Sequence, residues 1–175
     1  MLNGDRITLR PIKLDDHSFF FKWLNDSKVT RFINFYMPVS EMAERKWVEE
    51  YGQRSSAAEA MFVIEEKNKS KPIGFCVISK INHKDRNAEF TIVIGEQEFQ
   101  CKGLGTEAGM LIIRYAFDQL NMHRIYTGVY KFNKKSLCMV KKLGFKKEGC
   151  QRQAVYKNGS YHDILLFGLL NTKEL

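Results

Sequence analysis

Gln100-Cys101-Lys102-Gly103-Leu104-Gly105-Thr106 is the stretch on which the reading of this chain turns. Upstream, after a short polar connection, lies Ala88–Ile94, a run with strand character. Downstream, Gly105–Leu120 places Ala108, Leu111, Ile112, Tyr115, Ala116 and Leu120 on one face of an amphipathic helix. The first N–H groups of a helix have no partner within it and carry partial positive charge, so such a loop suits an anion. Gly103 and Gly105 would let a pyrophosphate approach the backbone without a Cβ in the way. The same glycines would also serve a tight turn with no ligand at all.

Two nucleotide readings fail on particular residues. Gly103-x-Gly105-x-x-Ala108 fits a dinucleotide fingerprint, which needs an acidic residue about 20 positions on to hold the ribose. The chain offers His123-Arg124 and then Ile125–Tyr130, with no carboxylate. A dinucleotide-dependent oxidoreductase is therefore set aside. A Walker loop fails too, since no Gly-Lys-Ser/Thr stands at the required spacing.

Working outward, Arg6–Ile12 reads as a first strand, and Asp15 or Asp16 can cap a helix to about Leu24. A loop with Phe32, Ile33, Phe35, Tyr36 and Met37 follows, and Ser40 opens a second helix to about Tyr51. Met61–Glu66, Ile73–Ile81 and Ala88–Ile94 form an antiparallel meander joined by polar turns. After the long helix come a strand at Arg124–Tyr130, a short helix at Lys134–Leu143 and two strands around Gln153–Tyr156 and His162–Leu169. The order predicts an α/β (α+β) fold with a mixed sheet and helices on its faces, in a single domain over residues 1–175.

Composition narrows the partners. The longest apolar runs, such as Ile164–Phe167, are too short to span a bilayer, and the N-terminus lacks the layout of a secretory signal. No membrane partner is expected, and the cytoplasm is the expected compartment. Cys76, Cys101, Cys138 and Cys150 lie far apart, as do the four histidines, which argues against disulfides and a metal site. Net charge is +8, with Lys131, Lys134, Lys135, Lys141, Lys142, Lys146 and Lys147 concentrated in one stretch. That cluster suits a nucleic-acid face, a solvated helix or a phosphorylated cofactor, and composition does not choose among them.

A second block does. Asn133-Lys134-Lys135-Ser136, Lys142-Leu143-Gly144-Phe145 and Glu148-Gly149 follow the Gln-x-x-Gly-x-Gly loop in fixed order. Together with Leu9-Arg10-Pro11…Asp16 near the start and Gly159-x-Tyr161-x-Asp163 near the end, the chain resembles the GNAT acetyltransferases. The resemblance is to the subgroup of ribosomal-protein N-terminal (Rim-type) and spermidine acetyltransferases. It implies a sheet of about seven strands flanked by about four helices, with acetyl-CoA as co-substrate and no metal. The reaction implied is direct attack by a primary amine in a ternary complex.

The resemblance also assigns roles. Glu89 becomes the base that takes the proton of the acceptor ammonium, whose pKa of about 10.4 keeps it protonated at neutral pH. Ile92, Val93 and Ile94 would pair with the pantetheine arm through their backbone, and Gln100, Cys101, Lys102, Gly103, Leu104, Gly105 and Thr106 would hold the pyrophosphate. Asn133 and Ser136 would contact the cofactor arm, although Asn133 would equally cap a helix. Lys102, Lys135 or Lys141 could face the cofactor phosphates. One position departs from the family: seven residues after Asn133, where many members carry a tyrosine acid, stands Val140. Ser136, Cys138 or water is left for that role, and coenzyme A thiolate is a tolerable leaving group without one.

The acceptor is not fixed by the fold. In the fold that the resemblance implies, the connection between the first two helices borders the acceptor groove; its Phe32, Phe35 and Tyr36, with no acidic residue from Val29 to Val39, then predict a rim for one amine on an apolar or neutral body. A protein N-terminus or a small amino compound fits; a polyamine, needing spaced carboxylates, is expected to be a poor substrate. Polyamine acetylation, a non-catalytic acetyl-CoA sensor and a basic nucleic-acid-binding module are the alternatives, and nucleic acid is not an expected partner. A homo-oligomer is compatible with the sequence.

Overall fold

The computed structural model describes residues 1–53 and 58–172. Eight strands form one sheet: β1 (Leu2–Asn3), β2 (Ile7–Arg10), β3 (Ala60–Glu66), β4 (Lys71–Asn82), β5 (Asn87–Ile94), β6 (Arg124–Tyr130), β7 (Lys146–Lys157) and β8 (Ser160–Leu170). Their order across the sheet is β1-β2-β3-β4-β5-β6-β8-β7, and only β5 and β6 run parallel. Among the described residues five α-helices accompany them: α1 (His17–Leu24), α2 (Ser27–Thr30), α3 (Glu41–Gln53), α4 (Leu104–Asp118) and α5 (Lys134–Lys142).

Period-two alternation gives the sheet two apolar faces. Cys76, Ile78, Ala88 and Phe90 face α4 and pack with its Ala108, Ile112 and Ala116. Phe75, Val77 and Val93 point the other way, against Phe20 and Trp23 of α1 and Val48 of α3. Glu89 and Thr91 alternate with Ala88, Phe90 and Ile92, so they share the face of Val93.

The Arg10-Pro11…Asp16 block proves to be a buried clamp. Arg10 donates to both Asp16 oxygens at 2.8 Å and also to Glu65 of β3, tying β2 to the turn that starts α1. The hydrogen bonds that Arg10 donates to Asp16 outweigh the burial of a charged guanidinium and hold Arg10 above its ordinary pKa. Pro11 lacks an N–H, which is why the first strand stops at Arg10 rather than Ile12.

Three elements exceed the sequence reading. β1 is a two-residue strand against β2, too short to carry a period. α2 is a single turn capped by Asp26, whose side chain accepts from Lys28 N at 2.8 Å. β7 begins at Lys146, not near Gln153, because register shifts at Lys147/Gly149 and Gln151/Val155 break its alternation. The Asn158-Gly159 turn stands as read, with both residues at positive φ (51° and 82°).

Candidate active site

β5 and β6 pair at Asn87↔Arg124, Ala88↔Ile125 and Glu89↔Tyr126, and then diverge. Residues 90–94 stay with β4, and residues 127–130 stay with β8. The wedge leaves the β5 edge beyond Glu89 without a strand on that side. Two clefts of about 510 and 580 Å³ open along it and share Phe32, Ile33, Ile92, Asn133, Ser136 and Met139.

The first cleft holds the glycine loop. Gly103, at φ +82°, caps the start of α4 in a conformation that a side chain would strain. Gln100 Nε2 donates to the carbonyl of Ile94 at 2.9 Å, and Lys135 Nζ donates to Gln100 Oε1 at 3.2 Å. One amide thus joins the end of β5, the loop and α5. Lys28, Lys134, Lys135 and Lys142 line this cleft, and no carboxylate does among the described residues. Four ammonium groups beside a helix N-terminus suit a ligand with several negative charges.

In the second cleft, Glu89 forms an ion pair with Lys80 at 2.8 Å. Arg124 forks onto Glu148, Nη1 reaching Oε1 at 2.6 Å. Phe32, Tyr126, Tyr130 and Val140 contribute apolar wall. Burial pushes the Tyr130 hydroxyl above its ordinary pKa, so it keeps its proton. Asn133 is buried and accepts from Ser136 N at 3.1 Å, capping α5 while it faces both clefts.

Ile92, Val93, Ile94, Gln100, Cys101, Gly103, Gly105, Thr106, Asn133 and Ser136 all line the first cleft. Lys102 and Leu104 do not. Leu104 turns into the core below α4, and Lys102 lies over the Phe99 ring while its carbonyl accepts from Arg6. Lys141 is also outside, whereas Lys135 is inside. Cys138 lines only the first cleft, while Ser136 and Val140 reach the second. Of the aromatic rim, Phe32 lines both clefts; Phe35 lines neither, and Tyr36 is 79% exposed to solvent. The connection is tied to β7 there, as Lys157 Nζ donates to the carbonyls of Thr30 and Phe35. Lys28 escaped the sequence reading because one helical turn leaves no period to see. Lys80 escaped it because its position depends on a bulge.

Among the described residues no group of three His, Cys, Asp or Glu is placed to hold a metal ion, and no helix is long and apolar enough to cross a membrane. A family model described as acetyltransferase (GNAT) domain matches residues 6–146. The chain belongs to the GNAT acetyltransferase family. Spermidine N(1)-acetyltransferase of Vibrio cholerae serotype O1 is 30% identical over 173 residues, covering 98% of this chain and 97% of that one. The SPbeta prophage-derived uncharacterized N-acetyltransferase YokL of Bacillus subtilis is 28% identical over 166 residues, 95% of this chain and 90% of its own length. The crystal structure of spermidine N-acetyltransferase from Vibrio cholerae with CoA and spermine matches at a TM-score of 0.87 and 28% identity, covering 97% and 98% of the two chains. A dodecameric structure of the Vibrio enzyme matches at 0.82 and 28%, covering 98% of each.

This GNAT enzyme is an acetyl-CoA-dependent N-acetyltransferase. Its first cleft fits the co-substrate: an unpaired strand edge, a glycine loop at a helix start and four lysines, with no carboxylate among the described lining residues, follow one another along the wedge.

Proposed function

We propose that the acceptor is a single primary amine on an apolar or neutral body, such as a peptide or protein N-terminus or a small amino compound. The observation that carries this is the charge balance of the second cleft. Its two carboxylates, Glu89 and Glu148, each already hold a cation of the protein, between walls that are largely aromatic and aliphatic. An acceptor with several separated charges would leave ammonium groups desolvated and unmatched.

In this reading Glu89 takes the proton of the incoming ammonium, directly or through water. The freed nitrogen forms a bond to the acetyl carbon, the carbon–sulfur bond breaks, and the thiolate leaves. Backbone groups of Ile92, Val93 and Ile94 hold the pantetheine arm as an added strand. The N–H groups from Gly103 to Thr106 receive the pyrophosphate, with Leu104 contributing only its main chain, and Gln100 fixes the loop's exit from β5. Lys28, Lys134, Lys135 and Lys142 neutralise phosphate charge. Asn133 and Ser136 sit where the two clefts meet, suited to the cofactor arm near its reacting end. Val140 supplies no acid, and the thiolate leaves without one. The assignment extends to a single domain over residues 1–175, a cytoplasmic location and a homo-oligomer, the last favoured by the dodecameric relative.

The names of the relatives favour a second reading, spermidine acetylation. Coenzyme A release measured across N-terminal peptides, small monoamines and polyamines separates the two. The highest kcat/KM should fall on a monoamine or peptide; spermidine at the top would overturn the proposed acceptor.

A further inference from the structure

Lys80 stands on a break in the β4–β5 ladder. Ser79 pairs with Glu89 and Asn82 with Asn87, so Lys80 and Ile81 together oppose the single residue Ala88. Lys80 adopts φ +52°, a left-handed conformation that non-glycine residues seldom take. In an unbroken ladder Lys80 would sit opposite Ala88 and share its face, the one turned toward α4 and away from Glu89. The extra residue reverses that, and the Lys80 ammonium lies 2.8 Å from Glu89 Oε2 at the mouth of the second cleft. Unusual backbone at a cleft residue is a pointer to function.

We propose that Lys80 is a selectivity residue that excludes polycationic acceptors. Its ammonium fills the place beside Glu89 that a second cationic group of the acceptor would take. The other carboxylate of the cleft, Glu148, is closed off by Arg124. Lys80 is 68% exposed on an open rim, so it meets an approaching acceptor before Glu89 does. A monoamine needs only the proton-accepting oxygen of Glu89; each further ammonium meets Lys80 or Arg124 with no free carboxylate among the described residues lining the cleft. The inference rests on the acceptor reading above and names the residue that enforces it.

Spermidine binding to the coenzyme A complex, measured by titration calorimetry, tests it in wild type, Lys80→Asn and Lys80→Glu. Asparagine tolerates left-handed backbone and removes the charge together with the long stem that carries it to Glu89. Wild type should bind weakest, Lys80→Asn better, and Lys80→Glu at least about tenfold tighter than wild type. Circular dichroism establishes that each protein is folded; should Lys80→Glu fail to fold, the comparison of Lys80→Asn with wild type decides. Equal spermidine affinity across the folded proteins would overturn the role of Lys80. A wild type that turns over spermidine best, with binding still tightened by the substitutions, would instead overturn only the proposed acceptor.

Discussion

Lys157 Nζ donates to the carbonyl of Phe35 over 3.1 Å, reaching from the end of β7 to the connection that overhangs both clefts. The same ammonium takes the carbonyl of Thr30 at 3.2 Å, so one side chain staples both ends of the segment bearing Phe32 and Ile33. Lys157→Met should free that segment. We expect the KM for the acceptor to rise by about 3–10-fold, the loss of one or two charge-assisted hydrogen bonds at a part-exposed site. Acetyl-CoA affinity should fall less, because the segment gives the first cleft only Phe32 and Ile33, while Gln100 still ties the glycine loop to β5. Steady-state kinetics with each substrate varied in turn would show the difference, and an equal loss for both would disprove the stapling role.

Most of the fold was legible because it rests on long periodic segments. α4 and the β3–β5 meander repeat often enough for their faces to be read, and the glycine loop lies between two of them. What stayed hidden depends on contacts without period. β7 looks like a short strand in the sequence because two bulges interrupt its alternation. The rim expected at Phe35 and Tyr36 follows from the implied fold and an apolar composition, and the Lys157 tether, a contact across 122 residues, cannot be seen in a string. Lys102 and Leu104 lie on the glycine loop, but their side chains turn away from the cleft, one over the Phe99 ring and the other into the core.

Gly105→Val tests the cofactor loop. A Cβ at Gly105 would lie 3.4 Å from Met139 Sδ and 3.5 Å from Ile94 Cγ1, ordinary contacts with side chains that can adjust. The variant should therefore fold, yet occupy the space into which the pyrophosphate must come. For wild type, acetyl-CoA at 100 times Kd should stabilise by about 2.7 kcal/mol, a Tm rise of about 5–11 °C for a chain of this size. NAD should give no shift. Gly105→Val should lose most of the acetyl-CoA shift in the same thermal assay; a full shift would show that the loop does not hold the phosphates.

Glu89→Gln removes the proposed base while preserving shape. Turnover should fall by about 10²–10⁴-fold, with acetyl-CoA affinity nearly unchanged. The acidic limb of the kcat/KM profile should disappear with it. A variant as fast as wild type at every pH would exclude Glu89.

Glu96, just past the end of β5, is 5% exposed and accepts from Lys22, Trp23 and Lys71. Burial alone would raise its pKa, but the hydrogen bonds from Lys22, Lys71 and Trp23 prevail and lower it from 4.5 to about 2. The native state therefore binds fewer protons than the unfolded chain in acid. The stabilisation is complete above about pH 4.5 and fades as pH falls toward 2. With Lys22 largely solvated, we expect about 2–3 kcal/mol rather than the full equivalent of the shift. Glu96→Gln should lower stability at pH 7 by that amount and flatten the decline between pH 4.5 and 2. Denaturant titrations at several pH values would measure it, and parallel curves for the two proteins would contradict it.

The divergence of β5 from β6 also divides the sheet mechanically. Three residue pairs join a five-stranded half to a three-stranded half. Below that junction, amide protons turned into the wedge have water rather than a neighbouring strand for company, so they should exchange with deuterium far sooner than those facing β4 or β8. A molecule lying in the wedge would act as a splint across the fracture. Its arrival should be felt as slowed exchange along both lips at once, a cooperative stiffening of the two half-sheets into one.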